Sequence, residues 1–272
     1  MPRVPRTSGV PRAALAATAI AGAAIGAACG PRPTSTVTLP AATRVLARGS
    51  LAYAAAAAET AEGAAVVTIE LEERFALVVR EPNSGRERRR VDLGPAERDL
   101  VALAVNGDRA WVGGDDQEVR TIDLASGTIT ATWPIGADVT ALRWLAPHWL
   151  AIGDATGVVC LRRLPDAALV QCAALATAPI ATLTGGGGLT VVAGATRSSW
   201  TVPALANDAP APPLRWRGRA ITVAGREILV GDRVVLRLGE RIRSVEVGPG
   251  GELIVAAWVA GLDDPSVISV SP

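Results

Sequence analysis

The stretch Val101 to Trp133, VALAVNGDRAWVGGDDQEVRTIDLASGTITATW, decides the fold of this chain. It contains four short apolar runs, VALAV, RAWVGG, EVRTIDL and TITATW, separated by the turn-forming clusters NGD, GDDQ and ASG. Apolar runs of this length, bounded by Gly, Asn, Asp and Ser, are typical of strands joined by tight turns. The stretch therefore predicts one four-stranded antiparallel meander.

The same pattern returns downstream at a nearly constant interval. Two landmark series each advance in steps of about 40 residues, namely Leu103, Leu142 and Leu183, and Gly114, Gly153 and Gly194. A period near 40 with four strands in each unit indicates a β-propeller. A β-sandwich would show the same local strands, but it has no reason to repeat Leu and Gly landmarks at that interval.

The segment IDLASGTI, Ile122 to Ile129, resembles the last hairpin of a blade in the WD40-like and quinoprotein-like propeller superfamilies. The resemblance covers most of the chain after Leu51 and implies an all-β propeller. The chain departs from strict WD repeats, because no Gly-His pair and no closing Trp-Asp pair is present.

We expect about six four-stranded antiparallel blades, with five and seven as the alternatives. The first blade runs from Leu51 to Leu93, although Ala54 to Ala58 is interpreted as either a strand or a short helix because Ala favours helix. The last blade supplies only three strands from the C-terminal residues. Ser35 to Leu39, STVTL, alternates like a strand and is predicted to pair with Ser266 to Val270 and close the ring, because an open ring would leave unpaired strand edges.

The N-terminal residues are typical of an export signal. Arg3, Arg6 and Arg12 precede an uncharged run from Ala13 to Gly30 that consists mostly of Ala, Gly and Ile. A basic start, a short and weakly apolar core and small residues at its end mark a leader peptide. The run is too short and too rich in Ala and Gly to favour a permanent membrane helix, which needs about 20 apolar residues.

Cys29 stands where such a leader would be cut. Ala27, Ala28 and Cys29 resemble the lipobox of bacterial lipoproteins, whereas Gly26 occupies the position where that family usually has a larger aliphatic residue. The resemblance implies that Cys29 receives a lipid and becomes the new N-terminus, which would attach the chain to a membrane. The alternative is an ordinary secretory signal with an incidental cysteine. In this lipoprotein family, a residue other than Asp directly after the lipidated cysteine implies location in the outer membrane. Gly30 occupies that position here.

These signals predict residues 1–28 as the lipoprotein signal peptide, 29–41 as a tether that includes the possible closing strand, and 42–272 as the propeller domain. The expected location is an exported, outer-membrane lipoprotein that faces the periplasm or the cell surface. The formal charge is +1, and it becomes −2 once Arg3, Arg6 and Arg12 leave with the leader. Such a balance gives no general attraction for nucleic acid.

Cys160 and Cys172 lie symmetrically about Asp166 in VVCLRRLPDAALVQC, so a hairpin there places them opposite each other. Directly paired residues in antiparallel strands lie within disulfide range, and export favours oxidation. We predict a structural disulfide, with two buried free thiols as the alternative.

The candidate binding surface is one rim of the disc, built from the loops between the second and third strands of successive blades. Four residues are assigned to it: Asp115, Asp116, Asp154 and Arg197. The acidic residues could bind Ca²⁺, but turn geometry explains Asp at these positions more simply, so no metal site and no cofactor is predicted.

Several other residues are interpreted by position. Arg86, Arg88, Arg89 and Arg90 fall on an outermost strand and indicate a solvated, edge-protecting face, with contact to an acidic partner or lipid headgroups as the alternative. Trp149 and Trp216 are candidates for an exposed aromatic patch, and the tryptophans within strands, including Trp111 and Trp200, are candidates for the core.

Together these features predict a non-catalytic, lipid-anchored propeller that binds an envelope protein or polymer. The rival hypothesis is a periplasmic propeller enzyme, either a hydrolase or a quinoprotein-like dehydrogenase. No catalytic residue is assigned, because His148 is the sole histidine and no GxSxG element accompanies it.

Overall fold

The computed structural model describes residues 43–47, 51–145, 148–185, 188–194, 196–201, 215–224, 227–231, 233–238, 242–247, 251–258 and 265–270. All of them belong to one compact unit, Thr34–Pro272. Cys29 and Ser35 to Leu39 lie outside the described residues, so the lipidation of Cys29 stays a prediction, and the predicted pairing of Ser35 to Leu39 is considered below with the strand that occupies its place. Within the described ranges, no helix has the length and apolar character that a membrane span requires.

The strands form six antiparallel sheets, which we number I to VI in chain order. Sheet I contains β2 (Leu51–Thr60), β3 (Gly63–Leu71), β4 (Arg74–Arg80) and β5 (Glu87–Pro95). Sheet II contains β6 (Leu100–Asn106), β7 (Arg109–Gly114), β8 (Glu118–Asp123) and β9 (Thr128–Pro134). Sheet II confirms the four-stranded meander predicted from its sequence.

The remaining strands repeat this plan. Sheet III contains β10 (Val139–Leu145), β11 (Trp149–Asp154), β12 (Val158–Arg163) and β13 (Ala168–Ala174). Sheet IV contains β14 (Ile180–Gly185), β15 (Gly188–Ala193) and β16 (Thr196–Thr201). Sheet V contains β17 (Arg215–Trp216), β18 (Arg219–Ala224), β19 (Glu227–Val230) and β20 (Arg233–Arg237). Sheet VI contains β21 (Ile242–Val247), β22 (Leu253–Trp258), β23 (Pro265–Val270) and β1 (Thr43–Ala47).

The count of four-stranded blades corrects the prediction of about six. Five sheets have four strands, and sheet IV has three in the part of the chain that the structure describes. The N-terminal partner of β23 is also a different segment from the predicted one, because Thr43 pairs with Val270 and Ala47 with Val267. TRVLA alternates as well as STVTL does, so strand pattern alone could not choose between them.

The polyalanine run is a strand. Ala54 to Ala58 pairs residue by residue with Ala65 to Ile69 of β3. Ala54 and Ala58 belong to the apolar cluster shared with sheet II, whereas Ala55 packs with Ile254 and Ala256 of sheet VI. Tertiary packing on both faces of the strand therefore overrides the helix preference of Ala.

A β-bulge recurs at the same place in the innermost strand of five sheets. The pairing register shifts between Leu100 and Ala102, and again between Val139 and Ala141. The equivalent shifts in the other three sheets fall at Ala52/Ala54, Ile180/Thr182 and Ile242/Ser244. A bulge adds local twist, and its repetition gives each sheet the same twisted form.

The register confirms the leucine landmarks and corrects the glycine landmarks. Leu103 pairs with Val112, Leu142 with Ile152 and Leu183 with Val191, at equivalent positions. The structural equivalent of Gly153, which pairs with Ala141, is Gly113, which pairs with Ala102. Gly114 lies one residue beyond that position, and Gly194 lies two residues beyond Val192, which pairs with Thr182 at the equivalent position of sheet IV.

Five apolar clusters join the sheets face to face. One cluster spans sheets I and II, one spans II and III, and one spans III and IV. The other two join sheet VI to sheet I and to sheet V. Because both faces of most sheets are covered, strands such as β7 are buried almost throughout. This stacking of small twisted sheets is the arrangement of a propeller.

Candidate binding rim

Successive strands run in opposite directions, so the connections divide between two rims. We call upper rim the turns between second and third strands together with the links between sheets: 96–99, 115–117, 135–138, 155–157 and 175–179. The lower rim carries the turns between first and second strands and between third and fourth strands. The predicted rim residues Asp115, Asp116 and Asp154 lie at the upper-rim turns of sheets II and III, and Arg197 lies near the start of β16, which follows the corresponding connection of sheet IV.

Hydrogen bonds tie the first link of the upper rim to the turn of sheet II. The amide of Asp99 donates to Asp115 Oδ1 (2.8 Å), and the amide of Asp115 donates to the carbonyl of Asp99 (3.2 Å). Arg98 Nη1 donates to Asp116 Oδ2 (3.1 Å). The loop that carries Asp115 and Asp116 is therefore held at both its backbone and its side chains.

The same kind of contact continues into sheet III. The amide of Ile135 donates to the carbonyl of Gln117 (2.8 Å), and Gln117 Nε2 donates to Asp138 Oδ1 (3.3 Å). The amide of Ala155 then donates to the carbonyl of Asp138 (2.9 Å). Each turn is bonded to the link that follows it, so the upper rim of sheets II and III is a connected and preorganised surface.

Asp154 is a structural residue of this rim. It is buried, and its Oδ1 accepts hydrogen bonds from the amide of Thr156 (2.8 Å), the hydroxyl of Thr156 (2.7 Å) and the amide of Val158 (3.0 Å). These bonds are the turn chemistry that Asp supplies without a metal. Among the described residues, no group of three or more His, Cys, Asp or Glu side chains is placed so that it could hold a metal ion.

Asp116 is also engaged inside the rim. Its side chain is 6% exposed and pairs with Arg120, whose side chain is 7% exposed. Asp116 Oδ1 and Arg120 Nη1 have no hydrogen-bond partner in the described structure, so this buried pair is incompletely satisfied. Of the four predicted rim residues, Asp115 and Arg197 are exposed, and only these two present their side chains to solvent.

The arginine-rich strand β5 is paired with carboxylates. Arg86 and Arg88 pair with Glu81, and Arg89 pairs with Glu62. Arg90 pairs with Glu87 at 2.9 Å and with Glu72 at 3.4 Å. This neutralisation leaves little net positive charge along β5, which favours the edge-protecting interpretation over contact with an acidic partner.

Three carboxylates with lowered pKa values lie in hairpin turns of the lower rim, and a fourth, Asp92, has its pKa lowered by a hydrogen bond from Arg74 at the start of β4. Hydrogen bonds from Arg86 and Ser84 lower the pKa of Glu81 to about 2. Hydrogen bonds from Ser126 lower the pKa of Asp123, and a hydrogen bond from Arg163 lowers the pKa of Asp166. Each of these carboxylates caps its own turn or pairs with a neighbouring arginine. The enzyme hypothesis, which expects titratable groups converging on the central channel, stays untested.

The disulfide is confirmed in the predicted place. Cys160 on β12 and Cys172 on β13 are directly paired, are joined by an S–S bond, and have Cα atoms 4.1 Å apart. β13 is the outermost strand of sheet III, so the bond fastens an edge strand to its neighbour.

The burial of the tryptophans agrees with the prediction for the core residues and contradicts it for Trp216. Trp111 and Trp200 are buried, as expected of core residues, and Trp149 is half-buried against the cluster of sheets III and IV. Trp216, predicted to be exposed, is only 6% exposed because it packs in the cluster of sheets V and VI. Its Nε1 donates to the carbonyl of Gly251 (2.8 Å), which satisfies the polar end of the ring.

Comparison with solved structures agrees with this arrangement. The chain is similar to the structure of U3-55K, with a TM-score of 0.56 and 13% identity over 84% of this chain and 84% of that chain. It is also similar to the crystal structure of the RRP9 WD40 repeats, with a TM-score of 0.56 and 13% identity over 85% of this chain and 84% of that chain. This chain has the fold of a WD40 β-propeller. No protein-family model matches the chain, and no curated protein matches it.

Proposed function

We propose that this propeller is a lipid-anchored, non-catalytic scaffold of the cell envelope, which binds a protein partner through its upper rim. The observation that carries the binding role is the hydrogen-bonded continuity of that rim from Arg98 to Ala155. Rigid strands hold the exposed groups between them in a fixed relation, which lowers the conformational entropy that the rim itself loses when a partner binds.

The groups available to a partner are mixed in character. Arg98 is 45% exposed although it donates to Asp116, and Asp115 and Gln117 are exposed beside it. Arg197 supplies a further positive charge at the start of β16. Such a surface of alternating charge and exposed turn backbone suits the polar surface of a folded protein better than a uniformly charged polymer.

Site-specific photo-crosslinking in cells tests the binding role. A photoreactive residue replaces Asp115 in one variant and Arg197 in another. The matched control carries it at Thr132, an exposed position on the outer strand β9. Discrete crosslinked species from the two rim positions, and none from Thr132, would support the proposal. Equal crosslinking from Thr132, or no species from the rim, would contradict it.

The envelope location rests on the leader and on Cys29. Metabolic labelling with palmitate should mark the wild-type chain, and Cys29→Ser should abolish the label and release the chain from the membrane fraction. A wild-type chain that is exported without label would support the alternative of an ordinary secretory signal. This assay is independent of partner binding, so the two parts of the proposal can fail separately.

A further inference from the structure

Four arginines are gathered at the lower rim of sheet V. Arg215 and Arg219 flank the two-residue turn that joins β17 to β18, and Arg217 occupies that turn. Arg233 begins β20 just after the turn at Gly231, whose amide donates to the carbonyl of Ala220 (3.0 Å). All four arginines are exposed. We call these four residues the arginine patch.

No described carboxylate neutralises the arginine patch. Within the described part of sheet V, the carboxylate of Glu227 lies at the upper end of β19 and pairs with Arg237 (2.6 Å). Arg215 donates to the backbone carbonyl of Gly218 (2.7 Å), which leaves its charge in place. The arginines of β5 are different, since each has a described glutamate partner. Asp232 precedes Arg233 in the sequence and lies outside the described residues, so the patch sets four arginines against one adjoining carboxylate on a chain whose net charge is near zero.

The tip of the hairpin holds its arginine in an uncommon conformation. Arg217 has a φ of 52°, and Gly218 has a φ of 74°. Two-residue hairpin turns with both φ values positive favour Asn followed by Gly, and a bulky residue in the first position is uncommon. The guanidinium carbon of Arg217 lies 4.5 Å from the centre of the Trp216 ring, in a cation–π contact that fixes the side chain at the rim.

The patch lies beside the point where the N-terminal strand joins the fold. Trp216 is bonded to Gly251, which lies two residues before Leu253. Leu253 pairs with Val270, and Val270 pairs with Thr43 at the start of β1. Two strand spacings, or roughly 10 Å, separate Leu253 from Thr43. The tether predicted at residues 29–41 therefore joins the propeller at its lower rim, in the sheet next to the arginine patch.

We propose that the arginine patch binds the anionic headgroups of the membrane that holds the lipid of Cys29. The proposal rests on the lipid anchoring proposed above. Contact at the lower rim would turn the upper rim away from the bilayer and toward a partner. The lipid would hold the chain at the membrane, and the basic patch would set which rim of the propeller faces the anionic headgroups. Each arginine near an anionic surface should strengthen binding about fivefold at low salt.

Vesicle sedimentation with the full-length Cys29→Ser chain tests the patch without the lipid. The probes are vesicles of phosphatidylcholine alone and vesicles that also contain phosphatidylglycerol. The expected result is binding to the anionic vesicles that weakens as salt rises. The variant Arg215→Gln/Arg217→Gln/Arg219→Gln/Arg233→Gln should lose roughly 600-fold in affinity if all four arginines act as estimated, and about 25-fold if only two of them reach the surface. All variants share the same leader, so its own affinity for lipid cancels in the comparison.

A matched control removes the same number of charges from arginines that are paired with carboxylates. It combines Arg86→Gln, Arg89→Gln, Arg163→Gln and Arg237→Gln, whose partners are glutamates or an aspartate. Its binding should stay within about threefold of the parent chain, because only net charge changes. An equal loss in the control and the patch variant would overturn the proposal, since net charge alone would then explain binding. Circular dichroism melts establish that both variants are folded.

Three further outcomes distinguish failure of the arginine patch from failure of the lipid anchor. No binding of the parent chain to anionic vesicles overturns the arginine patch even if palmitate labels Cys29. Binding of polyglutamate or single-stranded RNA as tightly as anionic vesicles, with the same loss in the patch variant, assigns the patch to a different acidic ligand and also overturns it. Vesicle binding by a chain that palmitate does not label in cells would leave the patch intact and remove the anchor.

Discussion

Arg80 on β4 donates two hydrogen bonds to the fully buried carboxylate of Glu70 on β3, from Nε to Oε1 at 3.1 Å and from Nη2 to Oε2 at 2.9 Å. Thr68 donates a third hydrogen bond to Oε1 (2.5 Å). These residues share the face of β3 on which Val66 packs against sheet VI. The interface between sheets I and VI therefore contains a buried charged pair, and Arg90 Nη2 also lies 3.9 Å from Glu70 Oε2.

Removing the arginine should be severe. Arg80→Met leaves Glu70 charged or forces it to bind a proton in an apolar interface, and it should lower the free energy of unfolding by roughly 3–5 kcal/mol. The double variant Arg80→Met/Glu70→Leu should recover most of that loss, because no buried charge remains. Urea denaturation of the two variants and the parent chain measures both effects. A loss below about 1 kcal/mol for Arg80→Met would show that water reaches the pair.

The disulfide should stabilise the chain through the edge strand that it fastens. Cys160→Ser/Cys172→Ser opens a loop with a sequence separation of 12. For a loop of this size, the chain-entropy estimate is about 3 kcal/mol. The unfolding free energy of the parent chain should fall by that amount on adding dithiothreitol, whereas the variant should not respond to reductant. Identical denaturation of the parent chain with and without dithiothreitol would contradict a structural role for the bond.

The features that sequence predicts well here are local and repetitive. The meander from Val101 to Trp133 is visible because turn residues bound every strand. The disulfide is visible because Cys160 and Cys172 are equidistant from Asp166, so a hairpin that turns there must pair them. Both inferences concern strands that are adjacent in the sequence. The pairing register of such strands can be read from the spacing of their residues about the turn that joins them.

The features that sequence misses depend on which distant groups meet. Glu70 follows Val66 and Thr68 on alternate positions of β3, but nothing local shows that this face is buried or that Arg80 reaches it. Trp216 looked exposed because it is flanked by arginines, whereas its ring packs against sheet VI. Gly114 and Gly153 are not equivalent because the turn between the first and second strands has two residues in sheet II, where Asn106 pairs with Arg109, and three in sheet III, where Leu145 pairs with Trp149.

Substitution of two glycines of the upper rim would distinguish the cost of backbone strain from the cost of steric overlap. Gly157 has a φ of +87°, and a Cβ there would lie 2.2 Å from the carbonyl oxygen of Ala176. Gly136 has a φ of +82°, and nothing lies within 4 Å of its Cβ position. Gly136→Ala should therefore lower the free energy of unfolding by about 1 kcal/mol, and Gly157→Ala should lower it by a further 1–3 kcal/mol or so. Thermal melts of the two variants provide the comparison. Equal losses of stability in the two variants would mean that the backbone at Ala176 moves away from the new Cβ at no cost in free energy.

The last prediction concerns the pKa of Glu81, which the hydrogen bonds from Arg86 and Ser84 lower from 4.5 to about 2. Because the folded-state pKa lies below the unfolded value, the stabilising contribution is present above about pH 4.5 and is lost as the pH falls toward 2. Arg86→Gln removes the larger of the two hydrogen-bond contributions, so the titration midpoint of Glu81 should rise part of the way toward 4.5. Carboxyl ¹³C chemical shifts measured against pH follow this midpoint directly. Asp123, whose pKa is lowered by hydrogen bonds from Ser126 in a different turn, is the internal control and should titrate as before. A midpoint of Glu81 that does not move would assign its low pKa to Ser84 and Arg88 instead of Arg86.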